Sequence, residues 1–138
     1  MKLHHLALRT ADPAALAAFY AGVLGLRVVR RQPPRSIWLG LEDAVLMIER
    51  AEPGEPPVAP GDMALFALWV DAAEQARLRL RLAEAGVPIE AETAFTIYLR
   101  DPEGRRVGLS RYPLPELAHP TADPAADPTA DPTADPTD

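Results

Sequence analysis

Apolar and polar positions alternate from Leu3 to Thr10, with Leu6 and Leu8 on one side and His5, Ala7 and Arg9 on the other. That is the period of a strand. Asp12-Pro13 then supplies an N-cap and a proline for the first helical position. Leu16, Phe19/Tyr20 and Val23/Leu24 recur at helical spacing, and Gly25 is placed to end the helix. Strand-like runs follow at 26–31, 36–40 and 44–50, and the Pro/Gly/Glu-rich stretch 51–61 reads as a linker.

After the linker the same order returns. Ala64 to Val70 has the pattern of a strand, Asp71-Ala-Ala-Glu74 that of a capping box, and Gly86 that of a helix stop. Arg77 to Leu82 alternates with period two and taken alone would suit a strand; its cap, its glycine stop and the parallel with the first half predict a helix. Strands are predicted near 88–92, 94–100 and 105–111, with Asp101-Pro102-Glu103-Gly104 as a hairpin turn. The helix-stop glycines lie 20 residues after His5 and 21 after Leu65, the spacing of an internally duplicated βαβββ unit. The predicted class is α+β, with one domain at 1–112 built from modules 1–50 and 62–112.

Composition narrows the function. The 138 residues carry a net charge of −6, all of it in residues 113–138, where six acids meet no Lys or Arg. The remainder is balanced, which argues against a nucleic-acid partner. No cysteine is present, so disulfides, thiolate metal sites and thiol nucleophiles are excluded. No apolar run reaches the length of a membrane span and no apolar leader follows Met1, so a cytoplasmic protein without a membrane partner is expected. Thirteen arginines against one lysine, with abundant Ala and Pro, match the usage of a GC-rich bacterial genome. The TADP-type repeat at 121–136 places proline at every fourth position, so that tail is expected to be disordered.

Three stretches together carry a resemblance: His5-x-Ala-Leu-x-Thr-x-Asp12, Ala18-Phe19-Tyr20-x-x-Val-Leu24-Gly25-Leu26, and Tyr98-Leu-Arg-Asp101-Pro102-Glu-Gly104. From Lys2 to Tyr112 the chain resembles the vicinal oxygen chelate superfamily of glyoxalases, bleomycin-resistance proteins and extradiol dioxygenases. The resemblance implies two βαβββ modules forming a curved, mostly antiparallel sheet around an open cavity, with helices outside. It also implies metal ligands on the first and last strands of each module. Carried onto this chain those positions are His5, Met47, Leu65 and Gly108. Met is a soft thioether, and Leu and Gly bring no side-chain donor, so no metal or other cofactor is expected.

Extended by period two, the cavity-facing set becomes Leu3, His5, Ala7 and Arg9; Val45, Met47 and Glu49; Met63, Leu65, Ala67 and Trp69; and Arg106, Gly108 and Ser110. The expected ligand contacts are His5, Arg9, Trp38, Met47, Glu49, Leu65, Trp69, Tyr98, Arg106 and Ser110. His5 reads either as a polar pocket group or general base, or as the remnant of a metal site. Trp38 and Tyr98 read as stacking platforms or as strand packing. Arg30, Arg31 and Arg35 read as solvated surface.

Three functions remain open: a non-metal protein binding a small organic molecule, a glyoxalase-type lyase, isomerase or dioxygenase using His5 and Glu49 with an atypical metal, and a scaffold with a vestigial cavity. A homodimer is expected, because the apolar concave face is larger than a monomer usually exposes.

Overall fold

Asp12 begins the first helix as its side chain accepts from the Ala15 amide at 3.1 Å, with Pro13 behind it. In the computed structural model, which describes residues 1–114, this helix is α1 (Pro13–Ala18). It is shorter than the periodicity predicts. At Phe19–Val23 it widens into a π-type turn that buries both Phe19 and Tyr20, and Gly25, at φ +81°, ends it. The second helix, α2 (Ala72–Glu84), is capped by Asp71, which accepts from the Glu74 amide at 2.7 Å. Its alternating Arg/Leu run is helical as predicted. Leu78 and Leu82 turn inward four residues apart, and Leu80 is left 68% exposed on the outer face.

The strands are β1 (His5–Thr10), β2 (Arg27–Gln32), β3 (Ser36–Gly40), β4 (Val45–Arg50), β5 (Leu65–Trp69), β6 (Ile89–Glu92), β7 (Thr96–Arg100) and β8 (Arg106–Ser110). They form two four-stranded sheets of the same order, β1-β4-β3-β2 and β5-β8-β7-β6. In each the first and last strands run parallel and the other neighbours antiparallel. Leu3 and Met63, expected on the concave face, precede β1 and β5 and lie exposed outside them. Among the described residues no helix is long and apolar enough to cross a membrane. The repeat at 121–136 falls outside the described residues.

Each sheet buries one face. Leu46, Ile48 and Leu39 of the first sheet and Ile97, Leu99, Val107 and Leu109 of the second are all but inaccessible. Side chains of this kind contribute roughly 1.5–3 kcal/mol each when fully buried.

The signature motifs meet where the modules join. The Tyr20 hydroxyl donates to Asp101 Oδ2 at 2.8 Å, and Thr10 Oγ1 donates to Glu103 at 3.0 Å. Arg105 donates to the Arg9 carbonyl, and Arg81 of α2 donates to the Gly22 carbonyl at 2.7 Å. The Asp101–Gly104 turn closes as predicted, through the Gly104 amide to the Asp101 carbonyl at 2.9 Å. The Phe-Tyr and Asp-Pro-x-Gly motifs therefore join the halves.

Candidate functional site

The face of the first sheet opposite its core is built in rows. Cross-strand neighbours share a face, so Arg30, Trp38, Met47 and Ala7 form one row, and Gln32, Ser36, Glu49 and Arg9 the next. The Arg30 guanidinium lies 4.8 Å from the Trp38 ring centroid. Trp38 Nε1 donates to Ser36 Oγ at 3.1 Å, and Ser36 Oγ in turn donates to Gln32 Oε1 at 3.1 Å. The floor is thus one indole and one thioether beside a hydrogen-bonded polar row.

The linker closes over this face. Residues 51–58 wall a cavity of about 830 Å³ together with Arg9, Gln32, Arg35, Ser36, Trp38, Met47, Glu49, Arg50 and the turn residues Glu103 and Arg105. Arg9 holds the wall: its Nε donates to Glu55 Oε2 at 3.1 Å, its Nη2 to Glu55 Oε1, and its Nη1 to Glu49 Oε2 at 3.3 Å. The Arg9 bonds hold the Glu55 carboxyl down at about 2, with help from the Glu52 amide. The same Glu55 bonds raise Arg9 above its ordinary value. Arg50 donates to the carbonyls of Pro34 at 3.0 Å and Ala11 at 3.1 Å.

The open face of the second sheet repeats the plan with different chemistry. Arg106 stacks 4.3 Å from the Tyr98 centroid and donates to Glu90 at 3.0 Å. Bonds from Arg100, then Arg106, lower the Glu90 carboxyl below its ordinary value. Ser110 Oγ shares a 2.7 Å hydrogen bond with Thr96 Oγ1. Leu65 and Trp69 stand 44% and 55% exposed.

Of the ten ligand contacts expected from sequence, Arg9, Trp38, Met47 and Glu49 line the cavity. His5 shares the sheet face but lies outside the cavity lining, its Nδ1 2.8 Å from that of exposed His4. Leu65, Trp69, Tyr98, Arg106 and Ser110 lie together on the second sheet, away from the cavity. His5 and Glu49 are not brought together: His5 neighbours Val45, and Glu49 lies four residues further, about 13 Å along the strand. Arg30 and Arg35 are exposed, as expected, but Arg30 also lies against the Trp38 ring and Arg35 lines the cavity. Period two from Trp38 would have found Ser36. No periodicity marks Glu55, whose place depends on how the linker folds back.

The metal positions implied by the resemblance do not fit a metal. They offer one imidazole and one thioether, and among the described residues no group of three or more His, Asp or Glu is gathered to hold a metal ion. A side chain at Gly108 would also be crowded, as its Cβ would meet Ala67 Cβ at 3.1 Å and Thr96 Cγ2 at 3.4 Å. Protein dialysed against Ni²⁺, Zn²⁺, Mn²⁺ or Fe²⁺ and desalted is therefore expected to retain well under one equivalent, measured by elemental analysis. One tightly held equivalent would contradict this.

A family profile described as the Glyoxalase/Bleomycin resistance protein/Dioxygenase superfamily matches residues 2–109. No curated protein matches the chain. Among solved structures, a lactoylglutathione lyase from Agrobacterium tumefaciens is similar at 23% identity, covering 79% of this chain and 92% of that one, with a TM-score of 0.63. A glyoxalase/dioxygenase from Nostoc punctiforme is similar at 21% identity, with coverages of 82% and 92% and a TM-score of 0.69. A mutant of the fosfomycin resistance protein FosX from Listeria monocytogenes, complexed with Mn(II) and 1S,2S-dihydroxypropylphosphonic acid, is similar at 14% identity, with coverages of 80% and 89% and a TM-score of 0.66. At these identities the likeness is one of fold.

Proposed function

Since the chain belongs to the Glyoxalase/Bleomycin resistance protein/Dioxygenase superfamily, we propose that it is a member working without a metal, which binds a small organic molecule over the first sheet. The observation that carries this reading is the cavity of about 830 Å³, floored by Trp38 and Met47 and rimmed by polar groups. Its size and mixed lining suit a small ligand oriented by a few polar contacts. Glyoxalase-type chemistry through His5 and Glu49 has no support from their separation along the sheet.

The test is a thermal-shift screen with small aromatic and heteroaromatic compounds. A compound that binds the native state at 100 times its Kd stabilises it by about 2.7 kcal/mol. Hits are expected to raise the melting temperature of the wild type and to lose most of that shift in Trp38→Ala. Hits unaffected by Trp38→Ala would move the site elsewhere, and a screen without hits would favour a vestigial cavity.

The open face of the second sheet supports a second part of the proposal, a homodimer. Leu65 and Trp69 lie exposed on one face beside Tyr98, with exposed Met63 just ahead of β5. An apolar surface of this kind is characteristic of an association site, and a two-fold pairing would cover it on both copies. Light scattering at micromolar concentration is expected to give about twice the 14.9 kDa chain mass. A monomer mass would overturn the dimer.

A further inference from the structure

Arg9 carries one positive charge and faces two carboxylates. Glu49 is its fixed partner, because the parallel register of β1 and β4 sets the two residues side by side. Glu55 is an added one, delivered by the 51–58 strap. Its geometry is the bidentate fork by which a guanidinium reads any carboxylate, with Nε and Nη2 each on one oxygen. We propose that this fork is the carboxylate-recognition group of the cavity and that Glu55 occupies it as an internal stand-in, so that the cavity's own ligand is a small aryl or alkyl carboxylate that exchanges with Glu55. The inference rests on the small-molecule reading above and names the ligand class for that site.

Three observations carry it. The first is how lightly the strap is tied. After the Ala51 amide bonds the Thr10 carbonyl at 2.8 Å, the Arg9 fork is the only hydrogen-bonded link from residues 52–61 to another element among the described residues. A ten-residue segment with one polar anchor opens at little cost, and the anchor is the group in question.

The second is placement. The Arg9–Glu49 row and the Met47–Trp38 row are successive same-face rows, about 6–7 Å apart. A carboxylate seated on Arg9 therefore lays a body one ring long over the thioether and indole. The third is charge. An incoming carboxylate replaces Glu55 like for like, so the balance around Arg9 is unchanged. Arg35 and Arg50 also line the cavity, with Glu49, Glu52, Glu55 and Glu103 on the same lining, so its charge is balanced and stays so after the exchange.

The experiment compares benzoate with its neutral isostere benzamide by isothermal titration calorimetry on the full-length protein and on Glu55→Gln. Benzoate is expected to bind Glu55→Gln at least tenfold tighter than the wild type. Adding Arg9→Met should abolish that gain, and benzamide should bind both proteins equally. Unchanged or weaker benzoate binding to Glu55→Gln would overturn the proposal, the strap then being a fixed wall. An equal gain for benzamide would overturn the carboxylate assignment but leave the small-molecule cavity standing. Failure of both probes on both proteins, together with an empty thermal-shift screen, would remove the cavity reading as well. Should Glu55→Gln melt far below the wild type, Glu55→Asp keeps the charge, shortens the reach by one methylene, and carries the same comparison.

Discussion

Replacing Asp101 by alanine is expected to destabilise the protein by about 3–5 kcal/mol, the usual cost of removing one partner from a buried charged network. The Asp101 side chain is wholly buried and is the acceptor on which the join between modules converges. Its Oδ1 takes the amides of Glu103 at 2.9 Å and Arg105 at 3.0 Å, and its Oδ2 takes the Tyr20 hydroxyl at 2.8 Å and Arg105 Nη1 at 3.3 Å. Burial, reinforced by the Asp101 charge, pushes the Tyr20 phenol well above its ordinary value, which favours the protonated hydroxyl that donates to Asp101. Alanine strands that hydroxyl and two amides at once. Among the described residues no buried side-chain polar atom lacks a partner, so the variant introduces a kind of defect otherwise absent there. Urea denaturation of the variant, of Tyr20→Phe and of the double variant measures this. The coupling between the two sites should exceed about 1 kcal/mol. A loss below 1 kcal/mol for Asp101→Ala would show that the join does not depend on the network.

Gln75→Leu should cost about 1–3 kcal/mol, because it removes two hydrogen bonds worth roughly 0.5–1.5 kcal/mol each, while the Phe95 carbonyl keeps the Arg111 amide at 3.0 Å. Gln75 is a buried polar residue on the inward face of α2, where periodicity alone would place an aliphatic. Its amide Nε2 donates to the Leu109 carbonyl at 2.8 Å and the Phe95 carbonyl at 2.9 Å, pinning the helix to β8 and to the residue preceding β7. Leucine fills similar space but donates nothing. Gln75→Glu sharpens the test, since only a protonated carboxyl can donate there. Its folded pKa would rise above the ordinary carboxylate value, so the variant should be least damaged below about pH 4.3 and lose stability as pH rises from there through the raised folded value. Equal losses for Glu at pH 3 and pH 7 would contradict the donor role.

These two residues also show where reading along the chain stops. Asp101 was legible as a turn residue from the Asp-Pro-x-Gly spacing, and the turn formed. Its bond to Tyr20, 81 residues away, was not. A turn signal is local, whereas the acceptor's second duty depends on how two modules pack. Gln75 likewise fell inside a correctly predicted helix without announcing its two carbonyls.

The local layer and its duplication are legible along the chain without knowledge of the fold. Aspartates 12 and 71 cap helices because a carboxylate beside free amides satisfies them wherever the chain goes next. Gly25 and Gly86 end the helical segments at positive φ for an equally local reason. Period two correctly put Ala7, Met47, Arg9 and Glu49 on one face. The tertiary structure alone decided which face was roofed and by what. Alternation says which side chains point the same way, but nothing about which sheet a proline-rich linker folds over. The resemblance placed residues of both sheets, His5 among them, in one expected cavity, and period two extended that set without reaching Glu55. The cavity exists where the strap crosses the first sheet, and that crossing follows from packing and from one ion pair between residues 46 positions apart.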